Sequence, residues 1–399
     1  MACVVIPFLR DRTVPATSNS VAARPAAGSG AWDAAAGPAN QPVLDGAAGL
    51  VAPIGGGRKE FGKAALPGQD HAAVAERLAA LAPRGFGSAI LTGSHAAACD
   101  FARQICVKFH RSRGEAWRTG FVIRERDRSG LFPIARMRHT RAPESRFTRG
   151  QPAEGAERAD DLRRKTASLG GRAVAACFVE PIAVWAGVLV PPQGYLERLR
   201  AICDAQRILL VFDEASCGLG RTGAAFASQS LDVTPDLIIL GDALANGAQA
   251  IGAILVRDDV RDAIACSPEA QDMLGALAPP LLPACAAADA ALDIFMRERL
   301  FERAARMTPA FLDAMFSLSD LSLITDIRGY GMLAAFDFAP ARVPGARGRE
   351  IRARLKNAGL IAEIAGDTAI VAPALTIDEK QVDTMAAILR KVLSTRGPP

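Results

Sequence analysis

The chain has 399 residues, half of them hydrophobic and 22% charged, with a formal net charge of +5. That balance excludes a disordered chain and describes a globular protein large enough to bury a sizeable core. No apolar run of about 18 residues is free of charges, so a transmembrane helix is excluded as an expectation.

The chain starts on an apolar stretch, Met1 to Phe8, but no basic segment precedes it and Arg10, Asp11 and Arg12 follow closely. A signal peptide is therefore not expected. Residues 1–40 are rich in Ala, Gly, Pro and Ser and read as a loosely ordered arm. Residues 41–85 read as an N-terminal segment that joins the smaller domain. Within it, Pro42 to Gly57 suggests a short strand pair, and His71 to Ala82 has helical spacing at Val74, Leu78 and Leu81.

Residues 86–283 form the expected large domain. Short aliphatic runs alternate there with helical stretches, the signal for a mostly parallel sheet between helices. The runs are Ala89–Leu91, Ala176–Val179, Ile208–Phe212, Leu237–Leu240 and Ile251–Val256, with a helix predicted over Tyr195 to Arg207. Arginines thicken between about 102 and 172, but their signs alternate with acids, as in Arg124-Glu125-Arg126-Asp127-Arg128. This reads as a solvated, salt-bridged surface with too few aromatics to stack nucleic acid. Residues 284–399 carry two long helices, to about Glu298 and about Phe316. Short strands (Leu333–Phe338, Ile361–Ile364, Ala369–Ala372) and two more helices follow, a smaller α+β C-terminal domain.

Eight cysteines lie scattered with no C-x-x-C pair, and no His/Cys ligand spacing is read among them. A disulfide scaffold and a metal site are therefore not expected, and the cytoplasm is the expected compartment.

Two neighbouring stretches carry more information. One is Val179-Glu180-Pro181 with Gly187 to Leu196 after it. The other is Phe212-Asp213-Glu214-Ala215-Ser216-Cys217-Gly218-Leu219-Gly220-Arg221-Thr222-Gly223, with Thr234-Pro235-Asp236 following. Together they resemble the class III aminotransferases, the ornithine and omega-amino-acid type of fold type I. The resemblance runs from about Val43 to Leu393 and includes Arg328-Gly329-Tyr330-Gly331-Met332 and Pro373-Ala374-Leu375-Thr376-Ile377.

The resemblance implies a homodimer with the pocket between subunits and a pyridoxal phosphate at the carboxyl ends of the strands. In such sites an aspartate holds the pyridinium nitrogen, and a lysine forms the internal Schiff base and shuttles a proton. The phosphate rests on a Gly-Ser/Thr turn at a helix start. Asp213 matches the aspartate, Gly93-Ser94 the phosphate turn and Glu180 the V-E-P segment, as remnants of a cofactor site. The acid that follows the turn in the family is His95 here. The glutamine after V-E-P is missing, with Ala183, Val184 and Trp185 in its neighbourhood.

The lysine is also missing. The family's A-K-G-L-x-N-G turn reads Gly241-Asp242-Ala243-Leu244-Ala245-Asn246-Gly247, so Asp242 stands at the lysine position. No lysine lies between Lys165 and Lys356. The aromatic-His-Gly segment has become Arg126-Asp127-Arg128-Ser129-Gly130, Leu277 stands nearest the family's threonine, and Ile370 replaces the late arginine.

These departures imply that no pyridoxal cofactor is used. The expected activity is acid/base chemistry (cyclisation, condensation or dehydration) on a small, natural-product-like substrate. Asp242, Asp213 and His95 are the candidate catalytic residues, with Trp185 and Glu214 as substrate contacts. Each also has a plainer reading: Asp213 and Glu214 as caps, His95 as a surface or capping residue, Trp185 as packing. Two alternatives stand beside this: a non-catalytic subunit that partners an active enzyme, and an enzyme that holds pyridoxal or pyridoxamine phosphate without a covalent bond. Neither nucleic acid nor membrane is expected as a partner.

Overall fold

The computed structural model describes residues 44–47, 50–55, 71–124, 135–137, 146–169, 173–265 and 280–394. The arm expected over 1–40, the Arg126–Gly130 segment and Leu277 lie outside these residues.

In chain order the elements begin with β1 (Leu44–Asp45), α1 (His71–Leu81), β2 (Ser88–Thr92), α2 (His95–Ser112), β3 (Gly120–Arg124), β4 (Ala135–Met137) and β5 (Thr148–Arg149). Then come α3 (Asp160–Ser168), β6 (Val174–Val179), α4 (Tyr195–Gln206), β7 (Leu209–Asp213), α5 (Ala227–Ser230), β8 (Leu237–Leu240), β9 (Gly252–Val256) and α6 (Asp258–Ala265). The rest is α7 (Leu282–Arg297), α8 (Leu300–Phe316), β10 (Ile324–Tyr330), β11 (Leu333–Phe338), α9 (Ala346–Asn357), β12 (Leu360–Ile361), β13 (Glu363–Ala365), β14 (Thr368–Val371) and α10 (Glu379–Ser394).

The larger sheet has seven strands in the order β2-β9-β8-β7-β6-β3-β4. Strands β8, β7, β6, β3 and β4 run parallel, and β9 runs antiparallel to both β8 and β2. Strand β2 therefore points the same way as β8. The sheet is mixed and mostly parallel, as expected from its aliphatic runs. Every residue of β6, β7, β8 and β9 is buried, because helices cover both faces.

On one face α2 presents Ala98, Phe101, Ala102 and Ile105 at helical spacing to Phe178, Val211, Ile239 and Ile254. On the other, Leu196, Leu199 and Ile202 of α4 pack on Val179, Leu210 and Phe212. A second sheet has the order β13-β14-β11-β10-β5. Its strand β5 comes from residues 148–149, far upstream of its neighbours.

The strand pair expected over Pro42 to Gly57 does not form among the described residues. Only Leu44–Asp45 is extended, and it pairs in parallel with β12 at Leu360 and Ile361. The short segment finds its hydrogen-bond partners in the distant chain end, not in itself.

Consecutive parallel strands place their carboxyl ends along one edge, where open α/β sheets bind ligands. Here that edge collects Glu180 after β6, Asp213 at the end of β7 and Gly241-Asp242 after β8. The start of α2 reaches the same edge because β2 also ends there. Close backbone approach makes this possible at two glycines. A Cβ on Gly252 would lie 2.5 Å from the Ser94 carbonyl oxygen and 2.6 Å from Thr92 Oγ1. One on Gly241 would lie 3.1 Å from Ala215 Cβ and 3.3 Å from His95 Cβ.

Candidate active site

A cavity of about 260 Å³ opens at that edge, lined by Leu50, Val51, His95, Glu180, Trp185, Asp213, Ala215, Ser216, Gly241, Asp242 and Ala243. It gathers five of the residues singled out from sequence: His95, Glu180, Trp185, Asp213 and Asp242.

Its polar centre is the pair His95–Asp213. Helix α2 starts at Ser94, whose Oγ accepts the N–H of Ala97 at 3.1 Å and fixes the first turn. His95 is the first helical residue and turns its ring toward the sheet edge. Its Nε2 lies 3.0 and 3.1 Å from the two carboxylate oxygens of Asp213. Asp213 is 5% exposed, and its Oδ1 also accepts the N–H of Ala215 at 3.1 Å. Burial pulls the imidazole pKa down, but the charge of Asp213 and the hydrogen bond to it outweigh burial and push it up to about 11. His95 is thus an imidazolium seated on a carboxylate.

Cys99 joins this pair. It lies one turn after His95 on α2, with Sγ 3.4 Å from His95 Nε2 and 4.0 Å from Asp213 Oδ2. Cys99 belongs to no C-x-x-C pair. The signal was present as His95-x-x-x-Cys99, a spacing that puts both side chains on one helix face. Contrary to the expectation, the chain does hold a His/Cys pair at ligand spacing.

The wall is built by Trp185 and Asp242. Trp185 Nε1 donates to Ser216 Oγ at 2.7 Å, which holds the indole at the cavity. Asp242 opens a single 3₁₀ turn, Asp242–Ala245, and is exposed. Its Oδ1 accepts the N–H of Ile251 at 3.2 Å. Asn246 closes the turn in the left-handed region at φ 52°. Its side chain accepts from Ile54 N–H at 2.9 Å and donates to the Gly55 carbonyl at 2.7 Å.

Glu214 is not at the cavity. It is buried, and its oxygens accept the N–H groups of Ala227 at 2.5 Å and Ser228 at 2.9 Å, capping α5. Burial pushes its pKa up to about 7 against the pull of these two donors. The expected substrate contact at Glu214 is corrected to a structural cap, because adjacent residues at a strand end point to opposite sides. Gly93 and Ser94 stand at the helix start beside the cavity, with Ser94 as cap. Glu180 lines the cavity, and its backbone carbonyl receives a hydrogen bond from Arg124.

The G-x-G-R-T-G run serves the frame. Arg221 is buried and donates to the carbonyl of Pro373 at 2.5 Å, while its own carbonyl accepts Met332 N–H at 2.8 Å. Burial lowers its pKa to about 9.

Comparison with known proteins agrees with this architecture. Residues 128–393 match the family "Aminotransferase class-III". The chain belongs to the class III aminotransferases. It is 36% identical over 346 residues to an omega-aminotransferase of Caulobacter vibrioides, covering 80% of this chain and 78% of that protein. It is 30% identical over 348 residues to an omega-amino acid–pyruvate aminotransferase of Pseudomonas putida, covering 80% and 78%. Among solved structures, the omega transaminase of Pseudomonas jessenii in complex with PMP superposes with a TM-score of 0.82 at 25% identity, covering 92% of this chain and 91% of that one.

The expectation that no pyridoxal cofactor is used is corrected by these findings. The relatives are named aminotransferases, and a neighbour of the same fold is complexed with pyridoxamine phosphate (PMP). No helix among the described residues is long and apolar enough to cross a membrane.

Proposed function

We propose that this class III aminotransferase-family protein binds the aminated pyridoxal cofactor, PMP, without a covalent bond and works on a small amino or carbonyl substrate. One observation carries the reading. The buried carboxylate of Asp213 faces the cavity and already accepts a ring N–H, that of the His95 imidazolium. The imidazole nitrogen stands in for a protonated pyridine nitrogen. A carboxylate that holds one cationic heterocycle in this cavity has the charge and direction to hold another. Ala215 is small enough to leave room for a flat ring beside it.

When bound, such a cofactor supplies an electron-accepting ring and a primary amine for transfer to a carbonyl group. This chain's residues supply the rest. Asp213 holds the ring nitrogen protonated. The first-turn N–H groups of α2, capped by Ser94, favour the phosphate, and the cationic His95 beside them adds to this. Asp242 cannot form an imine; as a carboxylate on the cavity wall it is the candidate to move the proton that a lysine moves elsewhere in the family. Trp185, fixed by Ser216, closes the substrate side. The reading includes a homodimer, as the family resemblance implies.

The test is a titration of the full-length protein with PMP and, separately, with pyridoxal phosphate, followed by melting temperature and absorbance. PMP is expected to raise the melting temperature, because a ligand of the folded state must. Pyridoxal phosphate followed by borohydride is expected to leave no adduct on the 241–247 turn. Asp213→Ala should abolish the PMP effect. No response to either form would overturn the reading.

A further inference from the structure

We propose that His95, Cys99 and Asp213 form a binding site for a thiophilic divalent cation, Zn²⁺ above all, with its open coordination position facing the cavity. The inference does not rest on PMP binding.

The three ligand atoms come from two elements that meet at the sheet edge. His95 and Cys99 share a face of α2, and Asp213 arrives from the end of β7. Their separations are 3.0 Å (Nε2 to Oδ2), 3.4 Å (Sγ to Nε2) and 4.0 Å (Sγ to Oδ2). A tetrahedral zinc ion with ordinary Zn–N, Zn–O and Zn–S lengths holds such atoms about 3.3–3.6 Å apart. The triangle needs adjustments of only a few tenths of an ångström.

The hydrogen bonding points the same way. The one N–H of His95 Nε2 is shared between Asp213 Oδ1 at 3.1 Å and Oδ2 at 3.0 Å, with Cys99 Sγ 3.4 Å away. The Cys99 thiol donates to Asp213 Oδ2 only across a long 4.0 Å. A metal ion in the middle accepts a lone pair from each of the three side chains. Binding releases the imidazolium proton and the thiol proton, and no electron transfer is involved. Charge balances as well. A thiolate, a carboxylate and a neutral imidazole around a dication sum to zero, the arrangement a largely enclosed corner tolerates best.

The ligand set selects the metal. A thiolate beside an imidazole favours zinc over magnesium or calcium, which prefer oxygen. Cys99 and Asp213 are buried and His95 is 29% exposed at its side chain. The fourth position therefore opens to the cavity, as in zinc sites with three protein ligands and a water. The same carboxylate cannot hold a metal and a pyridinium nitrogen together. Zinc and PMP are mutually exclusive in this site.

The test uses Co²⁺ as a spectroscopic stand-in on the full-length protein, stripped of metal with a chelator. One equivalent should bind, with a near-ultraviolet thiolate-to-cobalt band and visible bands of a four-coordinate ion, and Zn²⁺ should displace it. Cys99→Ala should remove the near-ultraviolet band. His95→Asn should weaken cobalt binding at least about tenfold. Should Cys99→Ala fail to fold, Asp213→Asn gives a second reading, with the thiolate band kept and affinity reduced. A wild-type protein without the band, or the same band in Cys99→Ala, overturns the proposal. Cobalt bands that persist unchanged at saturating PMP overturn the shared carboxylate. Failure of PMP alone to bind leaves the cobalt result intact, so the two readings fail separately.

Discussion

Gly252→Ala probes how the sheet brings the site together. Gly252 begins β9 and lies directly under the turn that leads into α2. The added Cβ would sit 2.5 Å from the Ser94 carbonyl oxygen, 2.6 Å from Thr92 Oγ1 and 2.8 Å from the Ser94 carbonyl carbon. Two of these are backbone atoms. Reaching ordinary contact at 3.4 Å requires a retreat of 0.9 Å (3.4 minus 2.5). The Ser94 carbonyl accepts Ala98 N–H at 3.0 Å and Thr92 Oγ1 at 2.9 Å, so that retreat strains both bonds.

Overpacking costs about 1–3 kcal/mol, and two weakened hydrogen bonds cost about 0.5–1.5 kcal/mol each. The sum is about 2–6 kcal/mol, offset by less than about 1 kcal/mol from a stiffer unfolded chain. Urea unfolding followed by circular dichroism measures the difference. Gly87→Ala is the control: its Cβ meets side-chain ends of Asp258 and Arg261, which can move, so it should cost under about 1 kcal/mol. Because Ser94 precedes His95, Gly252→Ala should also weaken PMP binding. A loss under about 1 kcal/mol with unchanged PMP binding would refute the account of the β9–α2 contact.

Three further outcomes are expected. His95 has its pKa raised to about 11 in the folded protein, against about 6.5 unfolded. Its contribution to stability is fully present below pH 6.5 and is lost as pH rises through 11, so the wild-type advantage over His95→Asn should shrink by at most about 1.4 kcal/mol per pH unit. Urea unfolding at pH 6, 8 and 10 checks this, and a difference independent of pH would count against the ion pair. Asp236 is buried, accepts Leu210 N–H at 2.7 Å and pairs with Arg200 and Arg257, each at 2.8 Å. Asp236→Ala should therefore cost about 3–5 kcal/mol in the same assay, with Asp236→Asn costing less. Asp242→Lys places an amine on the cavity wall. Pyridoxal phosphate and borohydride should then add one cofactor mass to the 241–247 peptide, and an unmodified peptide would disprove the assignment of position 242.

The buried strands were legible because both faces of the sheet are covered, so β8 and β9 read as unbroken aliphatic runs. Two strands that carry buried arginines were not. Every residue of β3 is buried, yet it ends in Arg124 and leads into an arginine-rich stretch that reads as surface. Strand β10 contains Asp326 and Arg328, which look solvent-facing in sequence. In space Arg328 pairs with Asp326 and, at 2.8 Å, with Asp337 of β11, and such cancellation has no local signature. At the site, Asp213 and Asp242 were found through their flanking motifs. Cys99 was missed because its relation to His95 is helical, and its relation to Asp213 spans 114 residues. Glu214 was misassigned because sequence cannot tell which side of a strand end faces the cavity.

The turn that carries Asp242 is held from its far end. Asn246 fastens it to Ile54 and Gly55, the same short segment whose Leu50 and Val51 also line the cavity. The architecture of the wall thus depends on a residue four positions away from the acid that faces the cavity. That separation frees the side chain at position 242 from holding the turn, so a substitution there should leave the cavity's shape intact. A protein built this way can change its reaction without rebuilding its vessel.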